Sequence, residues 1–330
     1  MKYLLVILVL TFIVFSNTCA QERILKKFPV DIEKNGSSFI QTENSNYPIY
    51  YLVGTNFTVD NQQNVFVANA FNKCVYKFNN SDNTTIKISL PDVYLYSNQI
   101  INIVPEVSLD GTLYALLRTN EESFIGLLVN DGKSLKEIKL DKIPKGRVQR
   151  FYINCDSELC FSTFPHAIDP IEMSQGLIFI YNKDGHFLRR TEFPYTTKSY
   201  RVKASLTNEK IIIYAVPKEG SDNSKYTFEV KNKNISTGEI ALLGTDNDEN
   251  IYIYNNDEIL IQNVISQKQS KIKLSVSDRK IDGLITTARF LRVLPNGSIY
   301  MLGIISEEGK VNPNMKVSSD NLEAAILNIK

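Results

Sequence analysis

Apolar and polar positions alternate along this chain in short runs, and one local pattern returns from end to end: an apolar strand end, a turn of Asp, Asn or Gly, then an aliphatic or aromatic strand start. It occurs at residues 58–66, 107–114, 153–160, 205–212, 243–252 and 293–300, for example Val107-Ser-Leu-Asp-Gly-Thr-Leu-Tyr114 and Val293-Leu-Pro-Asn-Gly-Ser-Ile-Tyr300. Each stretch reads as a tight hairpin, because Asp-Gly and Asn-Gly accept the positive φ that short hairpin turns require. With Phe66, Tyr114, Cys160, Ile212, Tyr252 and Tyr300 taken as equivalent, the steps are 48, 46, 52, 40 and 48 residues. A second hairpin follows in each of the first five units, pairing residues 74–78 with 84–90, 125–129 with 135–140, 177–181 with 186–193, 226–230 with 239–243, and 258–264 with 270–274. Four short antiparallel strands per unit is the expectation.

The sixth unit has a first hairpin and a third strand at 322–330 but no fourth, while residues 23–30 (RILKKFPV) carry the apolar pattern of an outer strand. Joining the two ends removes the open edge of an incomplete last unit. The expected architecture is all-β: a six-bladed β-propeller whose ring is closed by the N-terminal strand completing the C-terminal blade. On these turns the chain resembles secreted six-bladed propellers of the NHL-like and TolB-like kind, in which an Asp-x-x-Gly-x-Ile-Tyr turn recurs in the inner hairpin. The resemblance spans residues 22–330 and is weakest at 153–160 and 205–212, which lack the Gly. A split into two domains at the polar stretch 141–146 is the structural alternative, although that stretch reads better as a connector between blades.

Met1-Lys2 followed by an apolar run from Tyr3 to Phe15 is too short for a membrane span and has the form of a signal peptide, so an extracytoplasmic address is expected, with residues 1–20 removed and 21–330 forming one propeller domain. Two processing routes fit the segment. Cleavage after Ala20 yields a secreted or periplasmic protein. Cleavage before Cys19 yields a lipoprotein held at the cell surface by acyl chains, although Ser16 and Thr18 depart from the usual lipobox. The lipid would be the membrane's only hold on the chain.

Export changes how the other cysteines read, since thiols outside the cytoplasm tend to pair. Cys155 and Cys160 flank the polar Asp-Ser-Glu stretch of a hairpin, and a local disulfide between them is expected; Cys74 reads as a small buried strand residue. A C-x2-C zinc pattern is absent.

Composition narrows the chemistry further. Lys and Arg number 37 against 36 Asp and Glu, so no global field recruits nucleic acid, and a monomer is expected. Two His and no Trp leave few general-base or metal-ligand candidates. Middle turns are long in three blades (164–176, 217–225 and 306–322), and so are four connectors, while first and third turns are short, which places a ligand site on the face those longer loops build. Arg147, Arg150, Arg201, Arg289 and Arg292 fall in connectors or on innermost strands, with Tyr152 and Tyr200 nearby. Arg offers a planar fork for carboxylate or phosphate, so an anion-selective patch at the channel mouth is one reading. The other is that these Arg pair with rim acids such as Glu106 and Glu192. His166 and Asp169 share a long loop and form a further candidate pair.

No Gly-x-Ser-x-Gly, His-Glu-x-x-His or phosphate-binding Gly loop is present, and the acidic stretch 246–250 fits a turn better than a calcium loop. The expected role is non-catalytic binding of a protein, glycan or small anionic ligand through the loop-rich face, with no catalytic residue, no resident metal and no cofactor. The alternative is a calcium-dependent hydrolase or lactonase with its ion in the central channel, which rests on fold analogy.

Overall fold

The computed structural model describes residues 23–29, 56–69, 73–95, 102–119, 123–130, 134–144, 147–164, 177–207, 209–219, 225–233, 240–256, 258–274, 291–306 and 322–329. They form six four-stranded antiparallel sheets. Blade 1 holds β2 (Phe57–Val59), β3 (Val65–Asn69), β4 (Cys74–Phe78) and β5 (Thr85–Ser89); blade 2 holds β6 (Asn102–Val107), β7 (Leu113–Arg118), β8 (Phe124–Asn130) and β9 (Leu135–Ile138). Blade 3 follows with β10 (Arg147–Ile153), β11 (Leu159–Phe164), β12 (Leu177–Tyr181) and β13 (Phe187–Thr191), and blade 4 with β14 (Tyr195–Thr196), β15 (Tyr200–Leu206), β16 (Lys210–Pro217) and β17 (Tyr226–Lys231). Blade 5 holds β18 (Ile240–Thr245), β19 (Asn250–Asn255), β20 (Glu258–Asn263) and β21 (Gln269–Lys273). Blade 6 runs β22 (Leu291–Val293), β23 (Ile299–Ser306), β24 (Leu322–Asn328) and then β1 (Arg23–Pro29), which pairs antiparallel with β24 from Arg23 opposite Asn328 to Pro29 opposite Glu323.

The second strand of a blade reads as an almost unbroken apolar run because successive side chains point to opposite faces and both faces are covered. In β3, Val65 and Val67 pack with Leu294, Tyr300 and Leu302 of blade 6, while Phe66 and Ala68 pack with Ile103, Leu113 and Ala115 of blade 2. In β7 the same alternation sends Leu113 and Leu117 to blade 1 and Tyr114 and Leu116 to blade 3. In β19, Ile251 and Ile253 face blade 4, and Tyr252 and Tyr254 face blade 6. Blades 3 and 4 meet through Tyr152 and Tyr195, whose rings lie 5.4 Å apart. Each sheet thus packs on the next, and blade 6 packs on blade 1. The outermost strands β5 and β21 keep a single inward residue, Ile88 and Ile272, between exposed neighbours.

The inner hairpins of blades 1, 2, 3, 5 and 6 share one five-residue turn. Its first residue donates N–H to the fifth carbonyl, and the fourth N–H returns to the first carbonyl, as in Leu294 to Ser298 (2.9 Å) and Gly297 to Leu294 (2.9 Å). This is a type I turn closed by a left-handed bulge residue. Gly111 and Gly297 occupy that fourth position at φ 87° and 79°, and Gln63, Ser157 and Glu249 adopt the same conformation without being glycine. The stretch 153–160 therefore forms the repeat turn although it lacks the Gly.

The fourth unit differs from the expectation. Residues 205–212 connect β15 to β16 and are a middle turn, not an inner hairpin; the innermost strand of blade 4 is the two-residue β14. Residues 240–245 are the first strand of blade 5, paired with β19, and not the fourth strand of blade 4. The segment after Pro217 consequently joins the third strand of blade 4 to the fourth and is not a middle turn.

The expected disulfide is not formed: Cys155 and Cys160 both remain thiols. The hairpin register gives the reason. Cys160 lies opposite Tyr152 in the β10–β11 ladder, whereas Cys155 is the second residue of the turn that begins at Asn154, so the two are not cross-strand partners.

Candidate functional site

The innermost strands converge on a cavity of about 70 Å³ in the central channel, lined by residues of β6, β10, β14, β18 and β22 and by the turns that follow β10 and β22. Arg292 of β22 reaches the sixth innermost strand, donating from Nε to the Phe57 carbonyl at 3.3 Å. Clefts for drug-sized ligands run to roughly 300–1,000 Å³. This cavity has room for a few waters or one carboxylate- or sulfate-sized group.

Arg150, Tyr152, Tyr195, Thr196, Glu106 and Arg292 bring the polar chemistry. Arg150 donates from Nη1 to the Tyr195 hydroxyl, lies with its guanidinium carbon 5.5 Å from that ring's centroid, and makes two long contacts of 3.4 Å to the carbonyls of Leu242 and Leu243. Tyr152 donates to the Pro194 carbonyl, which fixes the ring against Tyr195. Burial holds both phenols above the usual tyrosine range. They are neutral donors at physiological pH.

Three groups around the cavity lack protein partners among the described residues. Thr196 is 6% exposed and its hydroxyl makes no hydrogen bond, although its carbonyl accepts one from Thr245 Oγ1 at 2.7 Å. Arg292 uses only Nε, so its two terminal nitrogens are unengaged. Glu106 makes no hydrogen bond and no close ion pair. Burial pushes its carboxyl up to about 7, against the opposing pull of Arg292 and then Arg150. The same burial lowers the Arg292 guanidinium, with Glu106 working in the other direction.

Of the residues singled out in the sequence, the structure therefore joins Arg150, Tyr152 and Arg292, while Arg147, Tyr200 and Arg201 do not share the site. Arg147 is exposed at the start of β10, bridged to Ser123. Tyr200 stacks edge-on against Tyr226 at 5.6 Å, and Arg201 lies exposed over the Phe193 ring; both sit on β15, the second strand of blade 4, because β14 takes the innermost place. Glu192 pairs with Lys203 rather than with an Arg. Cys19, His166, Asp169 and Arg289 lie outside the described residues. The cavity is also lined by the turn residues Asn154, Cys155, Leu294 and Pro295, so it runs toward the short-turn end of the channel and not toward the mouth built by the longer loops.

Tyr195, Thr196 and Glu106 complete the site. A two-residue strand leaves no periodicity to read, which hid the first two, and Glu106 looked like a rim ion-pair partner. The Cys155 thiol borders the cavity but is pushed up to about 12 by burial, so it is a poor nucleophile. Among the described residues no group of three or more His, Cys, Asp or Glu is placed to hold a metal ion. At the acidic turn, Asp246 already accepts from the N–H groups of Asp248 and Asn250 (2.9 Å each), from Asn250 Nδ2 (2.8 Å) and from Tyr252 Oη (2.6 Å). It is a turn. A second, open groove between blades 1 and 2 interleaves Lys77, Lys87, Lys139 and Lys183 with Asp110, Glu137 and Asp184, a solvated surface of mixed sign.

No protein-family model and no curated protein matches the chain. Among solved structures it is similar to virginiamycin B lyase from Staphylococcus aureus (12% identity over 94% of this chain and 100% of that one, TM-score 0.47). It is also similar to the PQQ-bound aldose sugar dehydrogenase from Streptomyces coelicolor (11%, 85% and 95%, TM-score 0.44) and to luciferin-regenerating enzyme (13%, 84% and 91%, TM-score 0.44). The chain is a β-propeller. That statement rests on its own six sheets and their packing.

Proposed function

We propose that this propeller is an exported, non-catalytic binding protein that holds an anionic group of its ligand in the channel between Arg150 and Arg292. The observation that supports the reading is two guanidiniums on one cavity: Arg150 and Arg292 both line it, and among the described residues Arg292 donates to protein from Nε alone. Donors without protein partners on a small, half-buried site favour an acceptor ligand, and a carboxylate, sulfate or phosphate group satisfies several at once, each charge-assisted bond contributing about 1.5–3 kcal/mol. The low local polarity strengthens the pairing and the small volume limits the bound group to one headgroup. Two guanidiniums against one carboxylate favour an anion over a cation here.

Isothermal titration with sodium sulfate and sodium acetate at pH 6 tests the reading. Binding of at least one probe is expected, weakened about tenfold, ~1.4 kcal/mol, by Arg292→Gln. A folded wild-type protein that binds neither at millimolar concentration ends the proposal. Export is tested separately by mass spectrometry of the mature N-terminus and by fractionation of Cys19→Ala. An N-terminus that still begins at Met1 would refute it.

A further inference from the structure

We infer that the channel cavity takes up its oxyanion together with a proton, and that Glu106 is the group that receives it. The inference rests on the binding reading above and adds the charge state of the bound complex. The geometry leaves little alternative. Glu106 and Arg292 line the same space of about 70 Å³, from which one headgroup displaces most of the water. An ionised Glu106 beside a bound anion would place two like charges in one small, half-buried volume, where they repel more strongly than in bulk water. No described side chain neutralises Glu106 at close range.

The facing groups are accounted for element by element. β10 brings Arg150 and Tyr152, with Cys155 in the turn after it; β14 brings Tyr195; β22 brings Arg292. β18 contributes Leu243, Gly244 and Thr245, and β2 approaches through the Phe57 carbonyl, so neither adds a charge. The two phenols and the thiol are held neutral by burial. Glu106 is then the one member of the set able to change charge near neutrality, consistent with its carboxyl standing at about 7 before any anion enters. Protonated, it turns from a repelling acceptor into a further donor for the oxyanion. By linkage, an anion that prefers protonated Glu106 raises the proton affinity of Glu106 in return. Ligand is held at mildly acid pH and released as the pH rises. The bound class is a carboxylate or a tetrahedral oxyanion.

Sulfate and acetate, both ionised from pH 6 to 8.5, distinguish planar from tetrahedral geometry, and isothermal titration of the full-length protein in two buffers of different ionisation heat counts protons. Affinity of the wild type for the better probe is expected to fall about tenfold or more from pH 6 to pH 8.5, with close to one proton taken up per anion at pH 8. Glu106→Gln, which cannot titrate, is expected to bind with the same affinity at both pH values and without proton uptake. Probe binding that is independent of pH in the wild type overturns the proton coupling and leaves the anion site standing. A Glu106→Gln variant that keeps the wild-type pH dependence assigns the proton elsewhere and overturns the role of Glu106. A wild type that binds neither probe at pH 6 overturns both.

Discussion

Blades 5 and 4 solve the same problem, turning the chain at the channel, in opposite ways. In blade 5 the inner strand has six residues and ends in the turn at Asp246, a side chain only 2% exposed whose two oxygens satisfy the turn, Asn250 and Tyr252. In blade 4 the inner strand has two residues, and its tighter turn is held by Thr197, whose N–H donates to the Tyr200 carbonyl at 2.9 Å and whose hydroxyl accepts from the Tyr200 N–H at 3.0 Å and donates to Glu249 of blade 5. Among the described residues of the regular blade, no buried side-chain nitrogen or oxygen lacks a partner. The irregular one leaves Thr196 with an unsatisfied hydroxyl and sets Tyr195 beside Arg150. Where the repeat keeps its form its turn closes its own hydrogen bonds, and where blade 4 breaks it one hydroxyl is left over. Departure from regular geometry at a site of function is a general feature of proteins.

The largest expected effect tests the closed side. Asp246→Ala removes four accepted bonds and strands buried donors, and should cost about 3–5 kcal/mol by urea denaturation. Thr197→Ala should cost less, about 1–2 kcal/mol, because one neutral hydroxyl is lost; equal losses would mean that both blades depend on their turns alike. The next effect is pH-dependent. The Glu106 carboxyl sits at about 7 in the folded protein and near the ordinary glutamate range when unfolded. Between those values the folded state holds a proton that the unfolded state has released, so its contribution to stability is present at acid pH and lost as the pH rises to about 7. Glu106→Gln should therefore be more stable than wild type at pH 8, by on the order of 2 kcal/mol, with the gap closing toward pH 4.5. A variant less stable than wild type at pH 8 would show that the ionised carboxylate is a net asset beside Arg292. The smallest effect concerns the shared turn. Ser157 stands at φ 59° where Gly111 stands at 87°, and Ser157→Gly should gain about 0.5–1 kcal/mol in thermal unfolding. No gain would mean that the bulge tolerates serine without strain.

Most of the ring is legible in the sequence. Asp110-Gly111 and Asn296-Gly297 announce their turns because a left-handed bulge residue favours glycine, and the orphan apolar segment at 23–30 announced the outer strand of blade 6. The site was readable in part. Arg150, Tyr152 and Arg292 stand on innermost strands by simple counting along their units. Tyr195 and Thr196 did not show, since two residues carry no period, and Arg201 and Tyr200 were placed one strand too far inward for the same reason. The Cys155–Cys160 pairing fails on register, since Cys160 lies opposite Tyr152 and Cys155 falls in the turn, a placement that spacing alone leaves open.

Local pattern determined what each segment is: apolar alternation makes a strand, and Asp, Asn and Gly at set offsets make a turn, because both follow from the backbone and the residues beside it. Tertiary structure decided which strand each one joins. The apolar run at 240–245 suits an outer edge as well as an inner one; only packing against β19 and against blade 4 makes it the first strand of blade 5. The same holds for the charges. Near-equal numbers of acids and bases say nothing of where they meet, and it took the closing of the ring to bring two arginines and one glutamate from blades 2, 3 and 6 to a single small cavity.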